Sequence, residues 1–369
     1  MTSEKPRQVY YDININNQSS IGTTSEILTF DEIRNTPIIN KASDYSLSIV
    51  RFEIDTYSLP TFIPNIEKFP NTDPNKMIET ITLEYNGGTV GPHNLTWTST
   101  NKHIATPPPL SISQPNQVSS EYYYGNSFRH YCDLVNNTLT TLTTQLKMTT
   151  TALNNLKPPV MIWNEDSQTA SILAQEEFFN WSRTNHIHIY FNRSLYSKFT
   201  TFPALKNYNN TMNKIYKIYM KADSSTKIIL LDPLLNDTTE KYIKTDQELS
   251  TVANWSPISS IVFTSNNLPV YPTQVSAPYV YYNGILSTDS GTQNNEKIIT
   301  DMATNDQCYK PNLLYIPSAE YRYIDMFGIN DITRININVY WRDKSGRLHP
   351  FYLQSGASCS IKVLFQLKV

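Results

Sequence analysis

Ser360-Ile-Lys-Val-Leu-Phe-Gln-Leu-Lys-Val369 reads as one β-strand. Ile361, Val363, Phe365, Leu367 and Val369 share one phase; Ser360, Lys362, Leu364, Gln366 and Lys368 share the other. A period of two sends one set of side chains into a core and the other toward solvent or a partner. A terminus frays unless a sheet holds it. The stretch is therefore expected to close a sheet, with Phe365 in the core. An arm reaching into a neighbouring subunit is the competing reading. The same alternation recurs upstream, in Val9, Tyr11, Ile13 and Ile15, in Ile81, Leu83 and Tyr85, in Ile187, Ile189 and Phe191, and in Ile335, Ile337, Val339 and Trp341. Half-apolar strands of this kind belong to antiparallel sheets.

Two stretches are apolar on both faces. One is Ile228-Ile-Leu-Leu231. In the other, Leu47 and Ile49 lie in one phase and Val50, Phe52 and Ile54 in the other, which suggests a bulge or a two-sided buried strand. Helices are scarce. Phe128, Cys132, Val135, Leu139, Leu142 and Leu146 form an apolar stripe at helical spacing, predicting a helix near 122–146. Its threonines are poor helix formers, so packing must hold it. A short second helix is expected after Asn192, through Leu195, Tyr196 and Phe199, ending before Pro203. With 22 prolines and only 10 glycines, the connections should be long loops rather than tight glycine hairpins. The clearest loops are Thr106 to Ser120 and Leu286 to Glu296.

Strands joined by long excursions, without βα alternation, define an all-β sandwich or jelly roll. Residues 1–85 and 185–369 are assigned to the sandwich, and 86–184 to an inserted, partly helical segment. A double jelly roll is the alternative, since strand candidates lie on both sides of residue 200. One internal echo bears on it: Leu47-Ser-Ile-Val50 before Leu59-Pro60, and Ser260-Ile-Val-Phe263 before Leu268-Pro269. It records either a duplication or the common pattern of a strand ending in Leu-Pro.

Hydrophobic residues make up 39% of the chain and charged ones 17%, with 25 Tyr, 14 Phe and 5 Trp. A chain so rich in aromatics can bury a large core and is not a disordered one. Its polarity comes mainly from Asn, Ser and Thr. An uncharged surface suits extensive packing against neighbours, because few charges need desolvating. An AT-rich genome gives the same composition, and the two accounts are compatible. A net charge of −2 without a dense Lys/Arg run argues against sequence-specific nucleic-acid binding. Cys132, Cys308 and Cys359 are far apart and odd in number, as in a reducing compartment. The polar start Met1-Thr-Ser-Glu-Lys-Pro-Arg-Gln resembles no secretion signal, and no stretch approaches the roughly 18 apolar residues of a membrane span.

Chemistry needs a constellation of groups. His186-Ile-His188 places two imidazoles on one face of a strand. A metal-binding jelly roll would add a carboxylate four or five residues later, where Asn192 and Arg193 stand instead. The pair is read as two polar residues on the outer face of a half-buried strand. Glu176-Glu177 is an acidic pair, but adjacent side chains point apart. No nucleophile elbow, phosphate loop or zinc-protease helix is present. No catalytic, cofactor-binding or metal residue is assigned, and no enzyme activity is expected.

Several stretches resemble the penton or minor capsid proteins of small double-stranded DNA viruses of the virophage and Polinton type. They are Asn254-Trp-Ser-Pro-Ile-Ser-Ser-Ile-Val-Phe-Thr-Ser-Asn-Asn-Leu-Pro269, Tyr315-Ile-Pro-Ser-Ala-Glu-Tyr-Arg-Tyr-Ile-Asp325, and Ile337-Asn-Val-Tyr-Trp-Arg-Asp-Lys-Ser-Gly346 running into Ser360-Ile-Lys-Val-Leu-Phe365. Near the N-terminus, Tyr45-Ser-Leu-Ser-Ile-Val-Arg-Phe-Glu-Ile54 with Leu59-Pro60 is similar too. The resemblance spans about half the chain. It implies a viral jelly roll at the five-fold vertex of an icosahedral virion, with the inserted domain facing outward. The implied partners are further copies of the chain, as a homopentamer, and a major capsid protein. Assembly would take place inside the host cell, without secretion. The double jelly roll would instead make a trimeric major capsid capsomer. A receptor- or carbohydrate-binding β-spike is the alternative from another class, disfavoured because the aromatics sit at strand positions rather than in one loop.

Overall fold

The computed structural model describes residues 5–18, 26–56, 58–67, 72–109, 120–207, 214–221, 241–275, 279–280, 286–287, 294–304, 312–316, 322–344 and 346–368. The expected two-sided strand at Ile228 to Leu231 and Cys308 lie outside them, as does most of the expected loop from Thr106 to Ser120. The chain forms two compact units. One comprises Met1–Pro60 with Pro257–Val369, and the other Thr61–Ser256.

The sandwich of the first unit is framed by β1 (Gln8–Asn16), β2 (Thr29–Ile33), β3 (Tyr45–Asp55), β4 (Ile258–Thr264), β5 (Ile298–Ala303), β6 (Asn312–Tyr315), β7 (Arg334–Asp343) and β8 (Ser358–Leu367), with short strands such as Ile324–Asp325 and Leu348–Pro350 added beside β3 and β7. One antiparallel sheet runs β1-β8-β3-β6 and the other β2-β7-β4-β5. Strand 1 therefore lies beside 8, 2 beside 7, 3 beside 6 and 4 beside 5. That is the order left by rolling one long hairpin around itself, a jelly roll. The sheets face each other through apolar residues. The Phe52 and Phe263 rings meet edge to face at 4.7 Å, and those of Tyr11 and Phe30 at 6.3 Å.

Strand β8 is an interior strand. Val363 faces Tyr11 on one side and Ile49 on the other, and Phe365 faces Val9 and Leu47. Ile361, Val363 and Phe365 are all fully buried. The phase switch in β3 is a bulge. Ile49 pairs with Val363 but Arg51 with Lys362, so Val50 is the extra residue. Leu47, Ile49, Phe52 and Ile54 can then all be buried despite the change of phase. The two echoed stretches are β3 and β4, in opposite sheets of a single sandwich, which removes the duplication reading.

The second unit holds a five-stranded sheet in the order Ala204–Lys206, Tyr216–Ile218, His188–Phe191, Lys76–Tyr85, Gly88–Thr96, and a three-stranded one in the order Tyr242–Asp246, Thr169–Gln175, Val160–Asn164. Neither has a jelly-roll order, so among the described residues the chain carries one jelly roll and not two. The division read from the sequence put Lys76–Tyr85 and His188–Phe191 in the sandwich. They pair with each other instead, Ile81 opposite Phe191 and Leu83 opposite Ile189, within the unit that begins at Thr61.

Helix α1 (Phe128–Lys147) is the expected helix. It starts later than 122 because the Ser127 side chain accepts from the Arg129 N–H and caps it, while Glu121–Tyr123 make a separate turn. Tyr131, Cys132, Leu134, Val135, Leu139, Leu142 and Leu146 are buried. Thr138, Thr140, Thr141, Thr143 and Thr144 each donate their hydroxyl to the carbonyl four residues earlier, at 2.7–3.1 Å. This is how a threonine-rich helix satisfies its polar atoms. Asn136 donates to the Met161 carbonyl at 2.9 Å and accepts from its N–H at 2.6 Å, fastening α1 along the edge of the three-stranded sheet. The second helix spans Arg193–Lys198, and Asn192 accepts from the Leu195 N–H at 2.9 Å as its cap.

Candidate functional site

Alternation on β1, β8 and β3 leaves a polar outer face on the sandwich. Gln8 donates to Gln366 at 2.9 Å. Lys362 lies 3.4 Å from Asp12, and Arg51 lies 3.7 Å from Asp12 and donates to Ser360 at 3.1 Å. Asn312 donates to Glu53 at 2.9 Å. Exposed ion pairs of this kind contribute little stability. Their effect is to leave the sheet with small net charge and many amides and hydroxyls. Toward one end an open depression is lined by Asn14, Asn16, Asp55 and Ser358, again mostly uncharged.

The facing sheet departs from expectation. Alternation with Ile335, Ile337 and Val339 would turn Asn336 and Asn338 of β7 outward, yet only 7% and 9% of their surfaces are exposed. Asn338 donates to Asn336 at 3.0 Å and accepts from Thr29 at 2.6 Å, and Asn336 donates to the Phe30 carbonyl at 3.2 Å. Buried amides are tolerated because they are paired. A separate apolar patch is carried by the turns after β4 and before β7. The Tyr271 and Phe327 rings lie 4.9 Å apart, with Tyr271 68% and Ile329 78% exposed. Contiguous exposed apolar groups mark contact surfaces more often than isolated ones do.

The histidine pair lies in the second unit. His186 and His188 stand with ring centroids 4.4 Å apart, beside Trp181. Burial, the Lys217 ammonium and His186 push the His188 imidazole down to about 4. Glu84 lies opposite His188 in the ladder, but its carboxylate is held by Lys214 at 2.8 Å, and the Lys217 ammonium beside the pair disfavours a bound cation. Asn192 is occupied in capping its helix. Among the described residues no group of three or more His, Cys, Asp or Glu could hold a metal. Glu176 is bound by Arg183, at 2.6 and 3.2 Å, and by Asn180, which hold its carboxyl below the usual range, while Glu177 points to solvent. Burial raises the Cys132 thiol to about 12 and lifts that of Cys359 further. Thiols so far from ionising are packing residues. No helix of the described residues is long and apolar enough to cross a membrane.

A jelly roll is an architecture of viral capsid building blocks, and the relatives of this chain give its class: a structural, non-enzymatic capsid protein of the virion. The chain matches the family model described as Sputnik minor capsid protein V18/19 over residues 9–367, and it belongs to that family. It is 32% identical to the uncharacterized protein V18 of Sputnik virophage over 139 residues, 37% of this chain and 82% of V18. It is 24% identical to the structural protein V19 of the same virus over 216 residues, 55% of this chain and 91% of V19. Its fold is shared with a chain of the Sputnik virophage cryo-EM structure, at a TM-score of 0.81, 24% identity and 99% coverage of both chains. The mavirus penton protein also shares it, with a TM-score of 0.63 and 18% identity over 98% of this chain and 99% of that one.

Proposed function

We propose that this minor capsid protein is the penton subunit, five copies of which form each five-fold vertex. The observation that carries the reading is the common architecture, along nearly the whole chain, with a protein described as a penton. The fold fits the role. Each sandwich offers two lateral flanks, one formed by β1 and β2 and the other by β5 and β6. Different flanks meeting head to tail generate a ring when the rotation closes. The neutral polar face of the β1-β8-β3 sheet suits close packing against sister subunits and against a major capsid protein. Assembly inside the host cell follows the cysteine usage. Low-resolution imaging of assembled particles, with mass photometry of the purified protein, tests the reading. Five-fold density and a pentamer mass are expected. A trimer located on the capsid faces would overturn it.

A further inference from the structure

The strand Lys76–Tyr85 sends Met77, Ile81 and Leu83 into the core of the second unit, and Glu79 shares their phase. Its side chain is fully buried. One carboxyl oxygen, Oε1, accepts from the Asn65 amide at 2.8 Å, and the other has no hydrogen-bond partner. The surrounding backbone is built to hold it there. Pairing with Gly88–Thr96 slips between Lys76 and Thr80, so the ladder is broken at Glu79. The freed carbonyls are taken by side chains: Asn94 donates to Met77 at 2.6 Å, and Asn192 to Ile78 at 2.8 Å. The Ile78 N–H donates to the Asn65 carbonyl at 2.9 Å. Three asparagines thus clamp a bulge that turns a carboxyl inward.

The ionisable groups around Glu79 come from two helices. Tyr131 of α1 is buried with no partner for its hydroxyl, and its ionisation is opposed first by that burial and then by the Glu79 charge. Lys198, at the end of Arg193–Lys198, supplies a favourable but weaker charge. Burial outweighs the Asn65 amide, Lys198 and the residue's own backbone N–H, and raises the Glu79 carboxyl above its ordinary value. A neutral carboxyl is cheap to keep in such a place, whereas an unpaired buried carboxylate is costly.

We propose that Glu79 is a pH-operated latch of the Thr61–Ser256 unit. In its neutral form the strand and α1 stay packed; ionisation loosens that packing. The sign follows from linkage. An acid favoured neutral in the folded state contributes fully below its ordinary value of 4.5, and the contribution is lost as pH rises through the elevated value. Glu79→Gln imitates the neutral form at every pH. Thermal melts of the full-length protein and this variant should coincide at pH values below 4.5, with the variant melting progressively higher as pH rises above it. His188 titrates in both proteins, so the difference cancels it. A difference independent of pH, or a wild type that is the more stable one at high pH, would overturn the latch. Carboxyl carbon-13 shifts of glutamate-labelled wild-type protein give a reading free of any variant. One glutamate should titrate above the rest, and all of them titrating in the ordinary range would equally overturn it.

Discussion

At the scale of single residues, burial and pairing decide what each substitution should do. Phe365 is fully buried between the sheets, with strands on both sides of its own. Phe365→Ala should cost about 3–5 kcal/mol, a large share of the roughly 5–15 kcal/mol typical of a domain, and urea unfolding would measure it. Gly125 lies against the Phe62 ring so closely that an added Cβ would collide with it. Gly125→Ala should therefore lower stability by about 1–3 kcal/mol through overpacking, read in the same assay. His188 gives a pH dependence of its own. Its imidazole is favoured neutral in the fold, so its contribution is complete above 6.5 and is lost as pH falls toward about 4. An NMR titration of the ring protons should place its midpoint near about 4, and a midpoint at the ordinary histidine value would show that the ring is not enclosed. Alternation made Phe365 and its neighbours legible. It also pointed Asn336 and Asn338 the wrong way, because an amide satisfied by Thr29 and the Phe30 carbonyl can be buried at a position that looks exposed. Glu79 was legible in principle, as a charge in phase with Met77, Ile81 and Leu83, but only the structure shows the asparagines that hold it.

At the scale of elements, the local pattern sets type and phase, and tertiary pairing sets the partner. The bulge in β3 could be read from the phase switch after Ile49 because the inward side is fixed by apolar residues. The helix around Leu139 could be read from its stripe, while its start depended on the cap at Ser127. Ser127→Ala should cost about 1 kcal/mol and fray the first turn, visible as faster amide exchange there. What the pattern could not supply was membership. Ile81 to Tyr85 and Ile187 to Phe191 alternate like sandwich strands, yet their partners lie in the second unit. The closing-strand reading makes its own demand. Removing Ser360 to Val369 strips β8 from between β1 and β3 and exposes two rows of unpaired backbone groups. The truncated protein should be insoluble or molten. A soluble monomer with an unchanged melting transition would instead show that the segment is an arm.

At the scale of the whole molecule, composition foreshadowed the work of the surface. Only 17% of residues are charged, and on the β1-β8-β3 face several of those charges pair with one another. Contacts made through neutral amides and hydroxyls are little screened by salt. Oligomers should accordingly persist from low salt to molar NaCl at fixed pH, and sizing runs that show dissociation across this range would remove the neutral-interface account. The jelly-roll order also governs how the protein is made. Gln8 and Gln366 touch although 358 positions separate them along the chain, and β8 slots between β1 and β3 only after every other sandwich strand has been synthesised. Contacts of such long range make folding slow. The Thr61–Ser256 unit is contiguous and is complete on the ribosome well before β8 emerges. Until then β1 and β3 wait with the gap between them open, the condition in which unpaired strands aggregate. The emergence of β8 therefore acts as a checkpoint: a polypeptide released before it cannot close its sandwich, and so should not enter a capsid.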